Sequence, residues 1–185
     1  MLKDSKTGYG LISIIFHWAC APLILFVFGL GVYMRGLDYY SPWYHRGPEI
    51  HIELGLLIFF LMVLRLLWRL RSGSPEAIAT IPKSNQLAAN LVKLVIYIAV
   101  FTICITGYLI TTAEGSGANF FGIFNIPTTL ELSADNIDRA GKIHKYVAWG
   151  LIALVALHAT AALFHHFIKR DKTLVRMLKP SDDSL

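Results

Sequence analysis

GKIHKYVAWGLIALVALHATAALFHHFIKRDKTLVRM, residues 141–177, decides how this chain is read. The stretch opens with charge, runs apolar for about 20 residues, enough to cross a bilayer as a helix, and closes on a basic tail. His158 lies inside the apolar run. A histidine placed in hydrocarbon is costly unless it binds or pairs with something. His144 precedes it by fourteen residues. At 3.6 residues per turn that interval is nearly four full turns, so both imidazoles fall on one face, about 21 Å apart along the axis. A bilayer core is about 30 Å thick, so one helix face offers ligands at two depths.

The remaining composition fits that reading. Hydrophobic residues make up 55% of the 185 and charged residues 16%, well under the quarter typical of soluble domains. Four apolar runs are visible, at residues 11–32, 50–68, 91–110 and 143–167. They predict an all-α, integral membrane four-helix bundle, with residues 1–185 as a single domain. The first run is too long for a signal-peptide core and is not followed by an Ala-x-Ala-like site. Cys20 and Cys104 both fall inside expected helices and read as small buried hydrophobes.

Charge sets the expected topology. Of seventeen Lys and Arg residues, twelve fall at the two ends or in the middle loop, with five acids that include Asp182 and Asp183. The opposite side carries five basic residues and seven acids. The positive-inside rule then puts both termini in the cytoplasm. The net charge of +5 is a topology signal, and no nucleic-acid partner is expected.

With that topology the histidines sort by depth. His17 lies near the inner end of the first helix and His158 in the inner half of the fourth. His51 lies near the outer end of the second, where Pro48 and Glu49 are expected to open the helix, and His144 near the outer end of the fourth. Two cross-helix pairs result, His17/His158 and His51/His144. Haem iron accepts axial histidine, and two haems stacked across the membrane suit this arrangement. The expected cofactors are two haems, and the expected job is one-electron transfer. Arg139, Lys142 and Lys145, near the outer pair, are candidates to neutralise haem propionates, with Arg170 and Lys172 the inner candidates. Gly55, four residues after His51, reads either as room for a flat ring system or as close helix packing. Gly107 reads as room for a ring edge or a neighbouring helix. Arg65 reads as a cation snorkelling to the inner surface.

His165 lies seven residues after His158 and near the same face; it is an alternative partner for His17 or for a quinone carbonyl. His45 stands among Tyr39, Tyr40, Trp43 and Tyr44 and reads as part of an interfacial aromatic belt. The loop after Ser72, with Pro75 and Pro82, cannot be one continuous helix. A short surface helix is expected after Leu132, with Ser133 as its cap.

The motifs ISIIFHW, IHIELG and KIHKYVAWGLIALVALHATAALFHH, followed by KRDKTLVRML, resemble those of the prokaryotic cytochrome b561 family. The resemblance covers nearly the whole chain. It implies a four-helix inner-membrane protein with two b-type haems, and axial ligands that resemble His17, His51, His144 and His158. It also implies electron transfer to ubiquinone or a related quinone. The donor implied is superoxide at the outer face, drawn by Arg139, Lys142 and Lys145, or a redox protein such as a dehydrogenase or hydrogenase partner. Two readings from other classes stand beside it. A non-redox transport or structural protein would fit the four helices, and transition-metal transport would fit the histidines.

Overall fold

A computed structural model describes residues 1–180. Asp182 and Asp183, counted above among the inner-side charges, lie outside the described residues. The chain is a four-helix bundle. Its helices are α1 (Leu11–Met34), α2 (Trp43–Ser72), α3 (Lys83–Thr111) and α4 (Ala134–Phe164). All four are long and apolar enough to cross a membrane. Between α3 and α4 lies a hairpin of β1 (Ala118–Phe120) and β2 (Phe124–Ile126). A π-helical turn, His165–Lys169, continues α4, and a 3-10 turn, Val175–Met177, follows.

The helices outrun the expected apolar runs at most ends, because a helix continues past the hydrocarbon wherever its backbone can still pair. At the start of α2 this corrects the expected boundary. The helix opens at Trp43 rather than Pro48, which sits inside it. Ser41 makes the earlier start possible: its Oγ accepts from Trp43 N at 3.3 Å and its carbonyl from Tyr44 N at 3.0 Å. α3 starts directly after Pro82, whose carbonyl accepts from Gln86 N at 3.1 Å. The loop therefore closes at Pro82, and the helix begins earlier than the expected residue 91. The short helix expected after Leu132 is not separate. Ser133 O accepts from Asn136 N and Ile137 N, and the turns that follow run unbroken into α4.

The chain divides into two compact units. Unit 1 comprises Met1–Ala21, Leu61–Tyr97 and Ile152–Leu185; unit 2 comprises Pro22–Phe60 and Ile98–Leu151. In unit 1 the leader folds back on the start of α1, where Asp4 Oδ1 accepts from Gly10 N at 2.8 Å. Asp4 N in turn donates to Ser72 Oγ at 2.9 Å. Trp68 Nε1 donates to Ser13 Oγ at 3.1 Å, and Trp18 Nε1 to the Met177 carbonyl at 2.7 Å. Among the described residues of this unit, Cys20 and Met62 are buried. In unit 2, Ile58, Val100 and Leu151 form part of the interior, and Phe28 meets Trp149 edge-on at 5.0 Å. Large apolar side chains such as Phe26, Ile105 and Leu157 are exposed. On a span-length helix such side chains face lipid, since apolar residues need no shelter from hydrocarbon.

Candidate functional site: two histidine pairs

His51 and His144 come together in unit 2. Their ring centres are 6.2 Å apart, with the planes inclined by 62°. Each ring fits a notch made by a glycine on a neighbouring helix. A Cβ built on Gly31 of α1 would lie 2.9 Å from His51 Cε1. One built on Gly107 of α3 would lie 3.1 Å from His144 Cε1. Both notches face the Cε1–Nδ1 edge of the ring, because the next nearest atom in each case is Nδ1.

The carbonyl four residues before each glycine completes the notch. His144 Nδ1 lies 3.0 Å from Ile103 O. A carbonyl can only accept, so Nδ1 carries the proton and Nε2 keeps its lone pair. Thr106 Oγ1, 3.3 Å from the same nitrogen, donates its own proton to Thr102 O at 2.7 Å. It is therefore a second acceptor for Nδ1–H. His51 faces the Val27 carbonyl, but its Nδ1 is buried without a partner in hydrogen-bond geometry. Helix α3 carries no histidine, yet it fixes the tautomer of His144.

Gly31 was legible in principle. It follows His17 by fourteen residues, the interval that separates His144 from His158. Gly107, read as room for a ring edge, does receive one, and the ring is the His144 imidazole. At Gly55 a Cβ would meet nothing within 4 Å. The Gly55 carbonyl accepts from Cys104 Sγ of α3 at 3.7 Å, so α3 approaches the helix at this position. A cavity of about 270 Å³ lies nearby, lined by Glu49, Ile52, Glu53, Thr111, Gly117 and Asn119.

His17 and His158 belong to unit 1, where each is close enough to Arg65 to feel its charge. The two histidines also interact with one another. Arg65 Nη2 lies 3.2 Å from His17 Nδ1. A guanidinium cannot accept, so in this contact Nδ1 accepts and the ring proton sits on Nε2. Arg65 also lies over the Tyr97 ring, 5.6 Å from its centre, and Lys93 is a charged neighbour of His158. Arg65 thus turns inward to a histidine, which its reading as a snorkelling residue missed.

The other candidates sit elsewhere. Lys142 pairs with Asp138 at 2.6 Å, Lys145 lies over the Tyr146 ring at 5.4 Å, and Arg139 is exposed. Among the described residues no hydrogen bond or ion pair joins these three to His51 or His144. His165 Nδ1 is paired with Asp171 Oδ2. Burial pushes the Asp171 carboxyl up, but hydrogen bonding at Thr173 and His165 outweighs it and holds the group below its ordinary value. The Thr173 backbone N–H makes that bond at 2.8 Å; the Thr173 hydroxyl lies near the same carboxylate outside bonding geometry. His45 stacks edge-on with Tyr39 and Tyr44, as an interfacial aromatic cluster would.

The donor set discriminates between metals. Among the described residues no three His, Cys, Asp or Glu side chains converge on a point. A bare zinc or copper site normally needs three or four protein ligands. Haem iron takes four ligands from its macrocycle and needs only an axial pair. Two imidazoles on opposite sides of one metal, with metal–nitrogen distances near 2 Å, place their ring centres about 6–6.5 Å apart. The His51–His144 spacing of 6.2 Å meets that condition.

Residues 8–180 match a family described as prokaryotic cytochrome b561. The chain belongs to that family. It is 42% identical over 181 residues to "Cytochrome b561 homolog 2" of Escherichia coli K12, covering 97% of this chain and 96% of the relative. It is 28% identical over 187 residues to "Cytochrome b561 homolog 1" of the same organism, covering 96% and 98%. It is 30% identical over 175 residues to "Probable superoxide oxidase CybB" of Yersinia pestis, covering 92% and 95%. As a member of the cytochrome b561 family with four spans, it is a multi-pass protein of the inner membrane.

Proposed function

We propose that this cytochrome b561 family member is a di-haem b-type electron-transfer protein that passes electrons from a donor on the periplasmic side to ubiquinone or a related membrane quinone. The observation that carries the reading is the His51–His144 pair, two imidazoles 6.2 Å apart. The glycine notches and the Ile103 carbonyl leave His144 Nε2 free to ligate. Haem b, when bound, supplies a one-electron iron couple.

The residues of the chain then have distinct tasks. His51 and His144 hold one group, and His17 and His158 the other. Ile103 and Thr106 keep the proton on His144 Nδ1. His17 would offer Nε2 only in the tautomer with the proton on Nδ1, in which that nitrogen could no longer accept from Arg65. Arg139, Lys142 and Lys145 remain candidates for propionates at the outer pair. The lysine and arginine count supports cytoplasmic termini and a periplasmic His51/His144 end. With His51 and His144 holding one haem and His17 and His158 the other, the iron would have no free position for oxygen, which favours electron transfer.

The test is spectroscopic. Purified, haem-replete protein is expected to show low-spin b-type bands and about two haems per chain. The His144→Ala and His158→Ala variants should each lose about one. A protein that keeps both haems after both substitutions overturns the ligand assignment, and a colourless one favours transport or structure.

Superoxide is a second reading for the donor, favoured by the resemblance to the Yersinia protein named a probable superoxide oxidase. Two superoxide anions would give two electrons and two dioxygen molecules; with two protons these convert one quinone to quinol. Lys142 is already neutralised by Asp138, and Glu49 and Glu53 line the cavity beside His51, so a cationic lure is weak. Quinone reduction that superoxide dismutase abolishes supports superoxide. Reduction that proceeds unaltered with the dismutase present points to a protein donor, such as a dehydrogenase or hydrogenase.

A further inference from the structure

The β1–β2 hairpin lies against a membrane-spanning helix. Phe120 meets Phe60 of α2 with ring centres 5.4 Å apart, and Phe120 stacks on Phe124 at 4.9 Å. Phe121 N donates to Glu53 Oε1 at 3.1 Å. Glu53 and Phe60 follow His51 by two and nine residues, about 3 Å and 13 Å further along the helix axis. The hairpin therefore reaches alongside the apolar part of α2 instead of standing above it.

Two features of the tip suit hydrocarbon and not water. Its outward side chains are apolar: Phe121 is 43% exposed, Ile123 74% and Phe124 46%. The three backbone donors of its turn are paired. Phe121 N goes to Glu53, Gly122 N to Asn119 Oδ1 at 3.0 Å, and Ile123 N to Phe120 O at 2.9 Å. A loop in water has no need to satisfy every N–H within the protein, whereas in lipid each unpaired one is costly. The tight turn needs left-handed backbone at Phe121 (φ 51°) and Gly122 (φ 69°). At Phe121 that conformation is uncommon for a bulky residue.

From these contacts we propose that the tip of the hairpin, residues 120–124, inserts into the hydrocarbon of the adjoining leaflet and takes lipid acyl chains as its partner. Glu53 is the residue that makes the insertion tolerable, because it pairs the one tip N–H that the hairpin itself cannot. The proposal stands independently of the donor and of the haems.

A nitroxide at position 123 tests it. The Ile123→Cys variant, labelled and reconstituted in phosphatidylcholine/phosphatidylglycerol nanodiscs, is compared with a Ser116→Cys control, with labelled wild-type protein as the background for Cys20 and Cys104. Expected at 123 is an oxygen collision rate several-fold above that of a water-soluble nickel chelate. Dominant nickel collisions place the tip in water and overturn the proposal. Low rates for both reagents place it against protein, such as a second copy, and overturn it too. As a second measurement, an Ile123→Trp variant should be quenched by acyl-chain-brominated lipid beyond the wild-type level. Quenching no greater than that of the wild-type protein with its four native tryptophans overturns it.

Discussion

The Nδ1 of His144 lies 3.0 Å from the carbonyl oxygen of Ile103, and the ring lies so close to Gly107, one turn further along α3, that a Cβ there would stand 3.1 Å from Cε1. The hydrogen bond and the missing Cβ are one device. Removing either changes how the imidazole presents its other nitrogen.

A Gly107→Val substitution is therefore expected to displace the His144 ring, since its Cβ would begin 3.1 Å from Cε1. Gly31→Val should act the same way on His51, whose Cε1 would be 2.9 Å away. Overpacking of this kind costs roughly 1–3 kcal/mol. Each variant should fall from about two haems per chain towards one, measured as pyridine haemochrome against protein. Unaltered haem content and spectra in both would show that the notches do not set the rings.

Arg65 gives a prediction in potential. A unit charge several Å from a redox centre, at an effective dielectric near 20, is worth about 1–3 kcal/mol. Arg65→Met removes a cation beside His17 and His158, so it favours the oxidised state. One of two midpoint potentials is expected to drop by tens of millivolts to about 100 mV, with Arg65→Lys closer to wild type. Redox titration of both variants separates this from a general loss of stability, which would move both centres.

Asp171 predicts a pH dependence. Its carboxyl is held below the ordinary value of about 3.9. A depressed acid stabilises the fold above its unfolded-state value, and that contribution disappears as pH falls through the folded-state value. Asp171→Asn is thus expected to lower the melting temperature by a few degrees at pH 7. The gap should hold down to about pH 4 and close below it. A gap that widens on acidification has the wrong sign for this pair.

Trp18 anchors the C-terminal segment through its 2.7 Å bond to the Met177 carbonyl. Arg176 Nη1 adds a bond to Glu76 O at 2.9 Å. Trp18→Phe keeps the ring but loses a bond worth about 1 kcal/mol. Limited trypsin digestion should then cleave around residues 169–179 several-fold faster, with the four spans left intact. Equal cleavage rates would show that the segment is held by other contacts.

The four spans and the four histidines were open to sequence reading for the same reason: hydrocarbon demands about 20 apolar residues per helix and makes a polar intruder conspicuous. Boundaries were less legible because hydropathy reports the membrane, not the helix. Ser41 and the polar turns after Ser133 extend α2 and α4 into water, where no apolar signal exists. Strands of three residues carry too few positions to show alternation, so the hairpin was hidden in an aromatic loop. Arg65 was misread because a cation near a span end looks the same whether it points to headgroups or to His17. Gly31 and Ile103 act through the rotation of α1 and α3, which composition does not encode. The spacing of Gly31 from His17 held the one clue.

Helix α4 supplies a member to each histidine pair, His144 to one and His158 to the other, while α1 and α2 supply the partners. Synthesis from the N-terminus delivers α1, α2 and α3 to the membrane before any pair has its second imidazole. Each half-site waits with a single histidine until the last helix enters. On the proposed di-haem reading, loading of either centre would be a late, post-insertional event, and a chain truncated before α4 would be inserted yet unable to mature.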